Sequence, residues 1–190
     1  GVRAGLICIV SRGYPLEDAR ATIEFACANR QHFIGVDLAG PEDGYPCRNY
    51  QDVFKPALAA GMPITIHAGE ACGPENVWEA IDLLGARRIG HGINSIRDKE
   101  LMRRLAKDGI LLETCPTSNY ITRSVAEWDQ HPLPRFLEAG IPVSISTDDP
   151  GIFGVPLAEE YARCKSFLMM SDADLRKIDE YAAQHSFLSK

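Results

Sequence analysis

Six short, mostly apolar runs recur along the chain at a nearly regular interval, and this periodicity constrains the fold more than any other feature. The runs predict strands at residues 4–10, 33–38, 63–67, 87–91, 109–114 and 141–146. Apolar runs of this length are typical of parallel strands that helices cover on both faces. Successive strand ends lie roughly 23 to 33 residues apart, a spacing that indicates repeated βα units.

Helical patterns fill the intervals between the predicted strands. Residues 16–30 place Leu16, Ala19, Ile23 and Ala26 on one side of a helix. Helix start and stop signals predict further helices that begin at Pro74, span residues 98–107, and begin at Ser171 with Asp174 as capping partner. We find no linker, so residues 1–190 are predicted to form a single domain.

Six βα units are compatible with two α/β architectures. One is an open doubly wound sheet, and the other is part of a (β/α)8 barrel. A complete barrel typically needs about 250 residues, and the chain has 190. A barrel built from this sequence is therefore expected to lack about two of its eight units.

The charge balance argues against two classes of partner. The chain carries 20 Lys and Arg residues against 26 Asp and Glu residues, a formal net charge of −6. Nucleic-acid polymers and anionic membrane surfaces both favour a basic protein face. We therefore predict no nucleic-acid polymer and no membrane as partner, and a small-molecule substrate remains open.

Cysteine usage and the beginning of the chain indicate a cytoplasmic protein. The six cysteines contain no CxxC pair, and reduced thiols are their expected state in a chain of this length. The first residues show no basic region followed by an apolar segment, so the sequence predicts no secretory signal.

Polar and ionisable residues follow five of the six predicted strands. These groups are Asp37–Gly40, His67–Glu70, Gly90–Gly92, Cys115–Asn119 and Ser146–Pro150. The carboxyl ends of parallel strands meet at one edge, where ligands bind in α/β folds. The sequence therefore predicts a functional site at this edge.

An imidazole and a carboxylate in this set suit a metal ion. A closed barrel would bring His67 and Asp148 to one mouth, where they could bind zinc. The alternative is a hydrogen-bonded histidine at a sheet edge, with Asp148 capping a helix. Glu70 could shuttle protons beside the metal, or be a solvated loop residue. His91 could orient or deprotonate the attacking water, or be a buried histidine with a fixed tautomer.

The adjacent residues Asp148 and Asp149 are expected to diverge in extended backbone, so that one faces the metal and the other the substrate. The alternative is a helix N-cap before Pro150. The remaining histidines are predicted to be structural. His32 should lie at the surface, His131 should cap or pack, and His185 should lie near the end of the last helix.

These five motifs, in this order, resemble the adenosine deaminase family of metal-dependent barrel hydrolases. The resemblance implies an incomplete (β/α)8 TIM-like barrel of about six parallel strands with helices. Roughly the first two strands would be missing, because the family's first strand carries a His-x-His pair that this sequence lacks.

The resemblance also implies roles for individual residues. His67 and Asp148 would be the third and fourth protein ligands of one Zn²⁺. Glu70 would protonate a purine ring nitrogen, and His91 would be the base that orients the attacking water. Asp149 and the backbone amide of Gly40 would then bind nitrogens of the purine.

The implied function of the parent protein is hydrolytic deamination of adenosine to inosine and ammonia. Alternatives are a related metal-dependent barrel hydrolase or a deaminase of adenine, an aminofutalosine-type nucleoside or an N6-modified adenine nucleotide. A third alternative is a non-catalytic scaffold fragment. With half the ligands, the isolated chain is expected to be inactive. Open edges at strands 4–10 and 141–146 could favour self-association.

Overall fold

The computed structural model describes residues 3–188, and it contains all six predicted strands within two residues of their predicted bounds. The strands are β1 (Leu6–Ser11), β2 (Phe33–Ala39), β3 (Thr65–Ala68), β4 (Arg88–His91), β5 (Leu111–Thr114) and β6 (Val143–Ile145). Every recorded pairing between them is parallel.

The strands lie side by side in the order in which they occur along the chain. β1 pairs with β2, and β3 to β6 form a second ladder in sequence order. A parallel bridge between Val36 and Ile64 joins the two ladders, and the Val36 N–H donates to the Pro63 carbonyl at 3.0 Å. A doubly wound sheet reverses its strand order at a switch point. The uninterrupted order therefore identifies the incomplete barrel and excludes the doubly wound alternative.

Nine helices are present in the described residues, and four of them follow the predicted patterns. The helices are α1 (Leu16–Ala28), α2 (Gln51–Ala59), α3 (Pro74–Asp82), α4 (Lys99–Asp108), α5 (Pro116–Ile121), α6 (Leu133–Glu138), α7 (Pro150–Phe153), α8 (Leu157–Phe167) and α9 (Asp172–Gln184). The predictions for α1, α3, α4 and α9 are confirmed. Across residues 3–188, no helix has both the length and the apolar character that crossing a bilayer requires.

Local capping explains where two of these helices begin and end. The Asp98 side chain accepts hydrogen bonds from the N–H groups of Glu100 and Leu101, which starts α4. Gly109 ends the same helix with a left-handed backbone. Ser171 and Asp174 form the predicted reciprocal capping box at the start of α9.

The two faces of the central strands differ in chemistry. Ile66, Ile89 and Leu112 are fully buried on one face of β3, β4 and β5, in the main apolar core. Side chains alternate along a strand, so their neighbours in sequence lie on the other face. Those neighbours are often polar, as Arg88 and Glu113 are. The inner face of the incomplete barrel is therefore polar, unlike the outer face.

The two outermost strands are covered to different extents. In the described residues, β1 pairs only with β2, and β6 pairs only with β5. Leu6 and Ile9 of β1 are 65% and 54% exposed, whereas all three residues of β6 are buried. Exposed apolar side chains at an edge strand are thus a property of β1 and not of β6.

Candidate active site

One cavity of about 380 Å³ brings together all six residues that the sequence nominated as site residues. Its lining includes Gly40, His67, Glu70, His91, Asp148 and Asp149. The cavity lies at the carboxyl ends of the strands, and its volume is in the range of small-molecule sites. An adjoining cavity of about 280 Å³ shares three of these residues and adds Glu113 and Cys115.

His67 projects from β3 into both cavities, and a carboxylate lies behind its ring. Asp37 Oδ2 is 2.9 Å from His67 Nδ1. This contact occupies Nδ1 and leaves Nε2 for a ligand, as in metal sites where a carboxylate orients the imidazole. Gly90 makes room for the ring, because a Cβ at that position would lie 2.9 Å from His67 Cγ. The glycine in β4 is therefore a steric requirement of the His67 position.

The surroundings of His67 favour positive charge. Burial by itself would lower the pKa of this imidazole, but the hydrogen bond and charge of Asp37, together with the charges of Glu113 and Asp148, outweigh burial. The pKa of His67 is therefore raised to about 9. Carboxylates that stabilise an imidazolium at this point also favour a metal cation there.

The loop after β3 is organised by Glu42, a buried carboxylate. Its oxygens accept hydrogen bonds from the backbone N–H groups of Gly69, Glu70 and Ala71 at 2.8, 2.8 and 3.0 Å. Asn76 Nδ2 donates to the same carboxylate at 3.1 Å. These four donors satisfy the charge of Glu42 and set the path of the backbone that carries Glu70.

The Glu70 side chain points into the cavity, and its two oxygens have different partners. Oε1 accepts a hydrogen bond from Asn119 Nδ2 at 3.0 Å, with Thr122 and Ser124 hydroxyls at 3.3 Å. Oε2 lies 3.4 Å from His91 Nε2. The first oxygen is thus held by the protein, while the second faces the interior of the site.

His91 is buried at the end of β4, where the backbone adopts an uncommon conformation. Its φ is 60°, and that of the following Gly92 is 67°. Burial lowers the pKa of His91, and the neighbouring His67 lowers it further, against the opposing effect of Glu70. These effects favour the neutral form of the ring. Nε2 lies 3.9 Å from Asp148 Oδ2.

The structure corrects the predicted backbone at Asp148. Its φ of 57° is left-handed, so the extended conformation predicted for the Asp148–Asp149 pair is wrong. Ser118 Oγ donates to Asp148 Oδ2 at 2.7 Å and orients the carboxylate. Asp149 occupies the N-cap position of α7, but its side chain makes no capping hydrogen bond. Both carboxylates still line the same cavity.

Arg12 joins three strand ends behind the cavity. Its guanidinium donates to the Leu38 carbonyl at 3.2 Å and to the His67 carbonyl at 2.7 Å. Gly40 lies beside it with a φ of 93°. A Cβ added to this glycine would lie 3.3 Å from the Arg12 backbone nitrogen, so a larger residue would crowd the arginine. The buried arginine thereby holds the ends of β1, β2 and β3 in register around the site.

The donor set around the cavities fits a zinc ion. One ligand atom each from His91, Cys115 and Asp148 lie within 4.8 Å of one another. Burial, with Asp148 and Glu113, raises the pKa of Cys115 well above the ordinary thiol value. A protonated thiol is a poor ligand. The imidazoles of His67 and His91 and the carboxylate of Asp148 line the same two cavities and are ligand types that zinc accepts.

The other three histidines lie where the sequence predicted. His32 is exposed, and His185 follows the last residue of α9. His131 is only 3% exposed, and burial lowers its pKa to about 3. Its ring contacts Asn119, which in turn contacts Glu70 and His91.

Several residues of the site had no predicted role. Ser118 and Asn119 belong to the motif Cys115–Asn119, and Glu42 lies outside the five motifs. Arg12 and His131 are far from the motifs they support. All five act through contacts between residues distant in sequence, which local spacing does not reveal.

Comparison with known proteins gives consistent matches over nearly the whole chain. A family model described as adenosine deaminase matches residues 1–190. An adenosine deaminase from Shewanella loihica is 42% identical over 188 residues, covering 99% of this chain and 57% of that protein. The chain therefore spans little more than half the length of this relative.

Solved structures with the same fold include enzymes with different purine substrates. An adenine deaminase from Arthrobacter aurescens has a TM-score of 0.92 at 29% identity, with 97% of this chain and 57% of that one covered. An amidohydrolase from Burkholderia ambifaria with bound Zn has a TM-score of 0.91 at 28% identity, with 97% and 52% covered. The N6-methyl-AMP deaminase from Arabidopsis thaliana has a TM-score of 0.87 at 27% identity, with 97% and 54% covered.

Proposed function

The chain belongs to the adenosine deaminase family, and we propose that the whole protein hydrolyses the exocyclic C–N bond of adenosine. Water supplies the carbonyl oxygen of the product, inosine, and the amino group leaves as ammonia. The observation that carries this proposal is the convergence of the six nominated residues on one cavity. Because the chain covers 57% of its relative, the activity belongs to the whole protein and not to these residues alone.

The proposed cofactor is one Zn²⁺. His67, through Nε2, and Asp148 would supply two ligands, and a His-x-His pair that these 190 residues do not contain would complete the set. When bound, zinc lowers the pKa of water to about 7 and so makes it a nucleophile at neutral pH. Asp37 supports this assignment because it occupies the other nitrogen of His67.

Glu70 is proposed to transfer a proton to the purine ring. Its Oε1 is held by Asn119, Thr122 and Ser124. The proton is therefore carried on Oε2, the oxygen that faces the cavity. Protonation of the ring nitrogen makes the neighbouring carbon more electrophilic, which favours attack by water.

The remaining three residues are assigned to positioning. His91, with Nε2 turned towards Glu70 and Asp148, orients the attacking water. Asp149 and the backbone amide of Gly40 bind nitrogens of the purine from the rim of the cavity. These contacts select a purine without specifying the sugar.

The substrate is tested by measuring ammonia release from the whole protein with four compounds. Adenosine is expected to have the highest kcat/KM, above adenine, 2′-deoxyadenosine and N6-methyl-AMP. The relatives acting on adenine and N6-methyl-AMP make these the principal competitors. Release of ammonia from none of the four would contradict the proposal.

Substitution of the proton donor separates a purine deaminase from another metal-dependent hydrolase. In Glu70→Gln, kcat with adenosine is expected to fall by about 10²-fold or more, because the amide cannot protonate the ring. The matched control is Glu24→Gln, which removes an exposed carboxylate on α1. A Glu70→Gln enzyme with nearly full activity would favour a hydrolase that does not protonate its substrate.

The 190-residue chain alone is proposed to be inactive. It offers two of the four expected ligands, so zinc should bind weakly and substoichiometrically. Metal analysis after dialysis, with an ammonia assay on the same sample, tests this expectation. Tight stoichiometric zinc together with turnover would overturn it.

The proposed setting of the protein is the cytoplasm, without a nucleic-acid polymer or a membrane as partner. All six cysteines are free thiols in the structure, as a reducing compartment would maintain. The exposed apolar residues Leu6 and Ile9 make β1 the proposed edge for self-association of the isolated chain. Light scattering of that chain, compared with a Leu6→Lys, Ile9→Lys variant, tests this point.

A further inference from the structure

A series of side-chain hydrogen bonds leads from the backbone of α6 to the cavity. It begins at His131, which is 3% exposed and lies behind the site. The backbone N–H of Leu133 donates to His131 Nδ1 at 3.2 Å. An imidazole nitrogen that accepts a hydrogen bond carries no proton. The proton of neutral His131 is therefore on Nε2.

The next member of the series is Asn119, which is fully buried. His131 Nε2 lies 3.2 Å from Asn119 Oδ1. Because Nε2 carries the proton, it donates to this oxygen, and the amide has only one orientation that accepts the donation. The amide nitrogen of Asn119 must then point in the opposite direction, towards the cavity.

The amide nitrogen meets both of the ionisable groups proposed to act in the reaction. Asn119 Nδ2 is 3.0 Å from Glu70 Oε1 and 3.2 Å from His91 Nδ1. An amide nitrogen donates two hydrogen bonds and accepts none. His91 Nδ1 is therefore an acceptor, and the proton of the neutral ring lies on Nε2.

We propose that Asn119, oriented by His131, is a positioning residue that fixes the His91 proton on Nε2. That nitrogen is the one facing Glu70 Oε2 and Asp148 Oδ2, at 3.4 and 3.9 Å. The catalytic consequence rests on the proposed deaminase function, whereas the tautomer does not. The Asn119 amide thereby fixes both the orientation of the Glu70 carboxylate and the tautomer of His91.

The fixed tautomer limits what His91 can do in the reaction. With its proton on Nε2, the neutral ring can donate a hydrogen bond to the oxygen of the attacking water but cannot take a proton from it on that nitrogen. His91 therefore orients the nucleophile, and the base function that the family resemblance implied for it is not available to this tautomer.

The tautomer is measured directly by nitrogen-15 NMR of histidine-labelled whole protein loaded with zinc. The His91 signals are identified by their loss in His91→Gln. In the unsubstituted protein, the protonated nitrogen of His91 is expected to be Nε2. In Asn119→Leu, which has a similar volume and no donor, the proton should redistribute to Nδ1 or exchange between both nitrogens.

Asn94→Leu is the matched control. Asn94 is also a buried amide at the site, but its Nδ2 donates to the backbone carbonyls of Glu70 and Cys72 and not to a histidine. Its loss should lower stability and leave the His91 proton on Nε2. A general loosening of the site would instead change the His91 signals in both variants.

Two substitutions of His131 test the same series without changing Asn119. His131→Gln can place its amide nitrogen near the former Nε2 and keep the donor to Asn119. His131→Asn can keep the acceptor for Leu133 but is too short to reach Asn119. The first should retain the His91 tautomer, and the second should lose it.

Turnover supplies the second readout. In Asn119→Leu and His131→Asn, kcat is expected to fall by about 10- to 100-fold, the range typical of residues that orient an active group. KM should change by less than about 3-fold, since neither residue contacts the substrate, and His131→Gln should recover most of kcat.

A His91 proton that stays on Nε2 in Asn119→Leu and His131→Asn, or an unchanged kcat in both, would overturn the proposal. Failure of the proposed deaminase function can be told apart from failure of the tautomer proposal. In the first case the unsubstituted protein releases no ammonia, and the NMR measurement still determines which nitrogen of His91 carries the proton.

Discussion

The two ends of the barrel's inner face handle charge in different ways. Towards the amino end, Arg88 and Thr65 hold Glu113, which lies opposite Gly90 and also lines the adjoining cavity. Arg88 Nη2 lies 2.5 Å from Glu113 Oε1, and Thr65 Oγ1 donates to the other oxygen at 2.9 Å. At the carboxyl end, Glu70, Asp148 and Asp149 face one cavity with two histidines. Among the described residues that line this cavity, none is a lysine or an arginine.

This difference distinguishes a structural polar cluster from a candidate functional one. Glu113 has a fixed cation within the same sheet, so its charge is compensated by the fold itself. The carboxylates at the other end have hydroxyl, amide and imidazole partners, with no lysine or arginine among the described residues that line their cavity, so they favour an additional cation. Two of the residues there, His91 and Asp148, also have left-handed backbones, a form of strain that is concentrated at functional sites.

The largest expected effect comes from removing a proposed metal ligand at the carboxyl end. In the whole protein, His67→Ala should lose stoichiometric zinc and reduce kcat/KM by more than about 100-fold, beyond what the loss of an orienting residue costs. Glu113→Gln, which changes a carboxylate near His67 that has Arg88 as its fixed cation, should retain the zinc. Metal analysis and steady-state kinetics check both, and zinc loss in both variants would erase the distinction between the ends.

The next effect is on stability and comes from the amino end. Arg88→Met should lower the free energy of unfolding by about 3 kcal/mol, because it leaves the largely buried Glu113 without its cation. Arg87→Met, a change at the adjacent but exposed arginine, should cost about 0.5 kcal/mol or less. Urea unfolding measures both values. Equal losses of unfolding free energy in the two variants would show that the Arg88–Glu113 ion pair adds no stability of its own.

His131, which lies behind the carboxyl end, contributes a pH dependence to the stability of the fold. The pKa of His131 is about 3 in the folded protein, below its ordinary value of 6.5. The unfolded chain therefore binds a proton that the folded chain does not, and stability is lost as the pH falls below about 6.5. Between pH 7 and pH 5 the loss should be about 2 kcal/mol.

His131→Gln isolates this contribution, because glutamine does not titrate. Unfolding of the variant should be less sensitive to pH over the same interval. Arginine does not titrate in this range, so Arg87→Met, at an exposed position, should leave the pH dependence unchanged. The same slope in all three proteins would assign the pH dependence to other groups.

The smallest expected effect tests the carboxylate behind His67. Asp37→Asn should weaken zinc binding by about 10-fold, the low end of the range for an orienting carboxylate, because an amide can still hold the ring. Zinc titration against a competing chelator measures the change. An affinity equal to that of the unsubstituted protein would mean that Asp37 only compensates charge.

Much of the fold and the gathering of the site residues could be predicted from the sequence. The apolar runs located all six strands because a strand covered on both faces must be apolar over its length. Polar residues at successive strand ends met in one cavity because parallel strands place those ends at one edge. The backbone at Asp148 was predicted incorrectly, since a single left-handed residue has no signature in a non-glycine sequence.

The sequence by itself determined the positions of the strands, the six nominated residues that line the cavity and the family to which the chain belongs. These follow from hydrophobic periodicity and short motifs, which act over a few residues. Only the tertiary structure decided how those residues are oriented. Glu42 accepts hydrogen bonds from the backbone amides before α3, and Asn119 contacts both Glu70 and His91. Arg88 forms an ion pair with Glu113. The reason is physical, because a hydrogen bond depends on distances of about 3 Å between groups that the folded chain alone brings together.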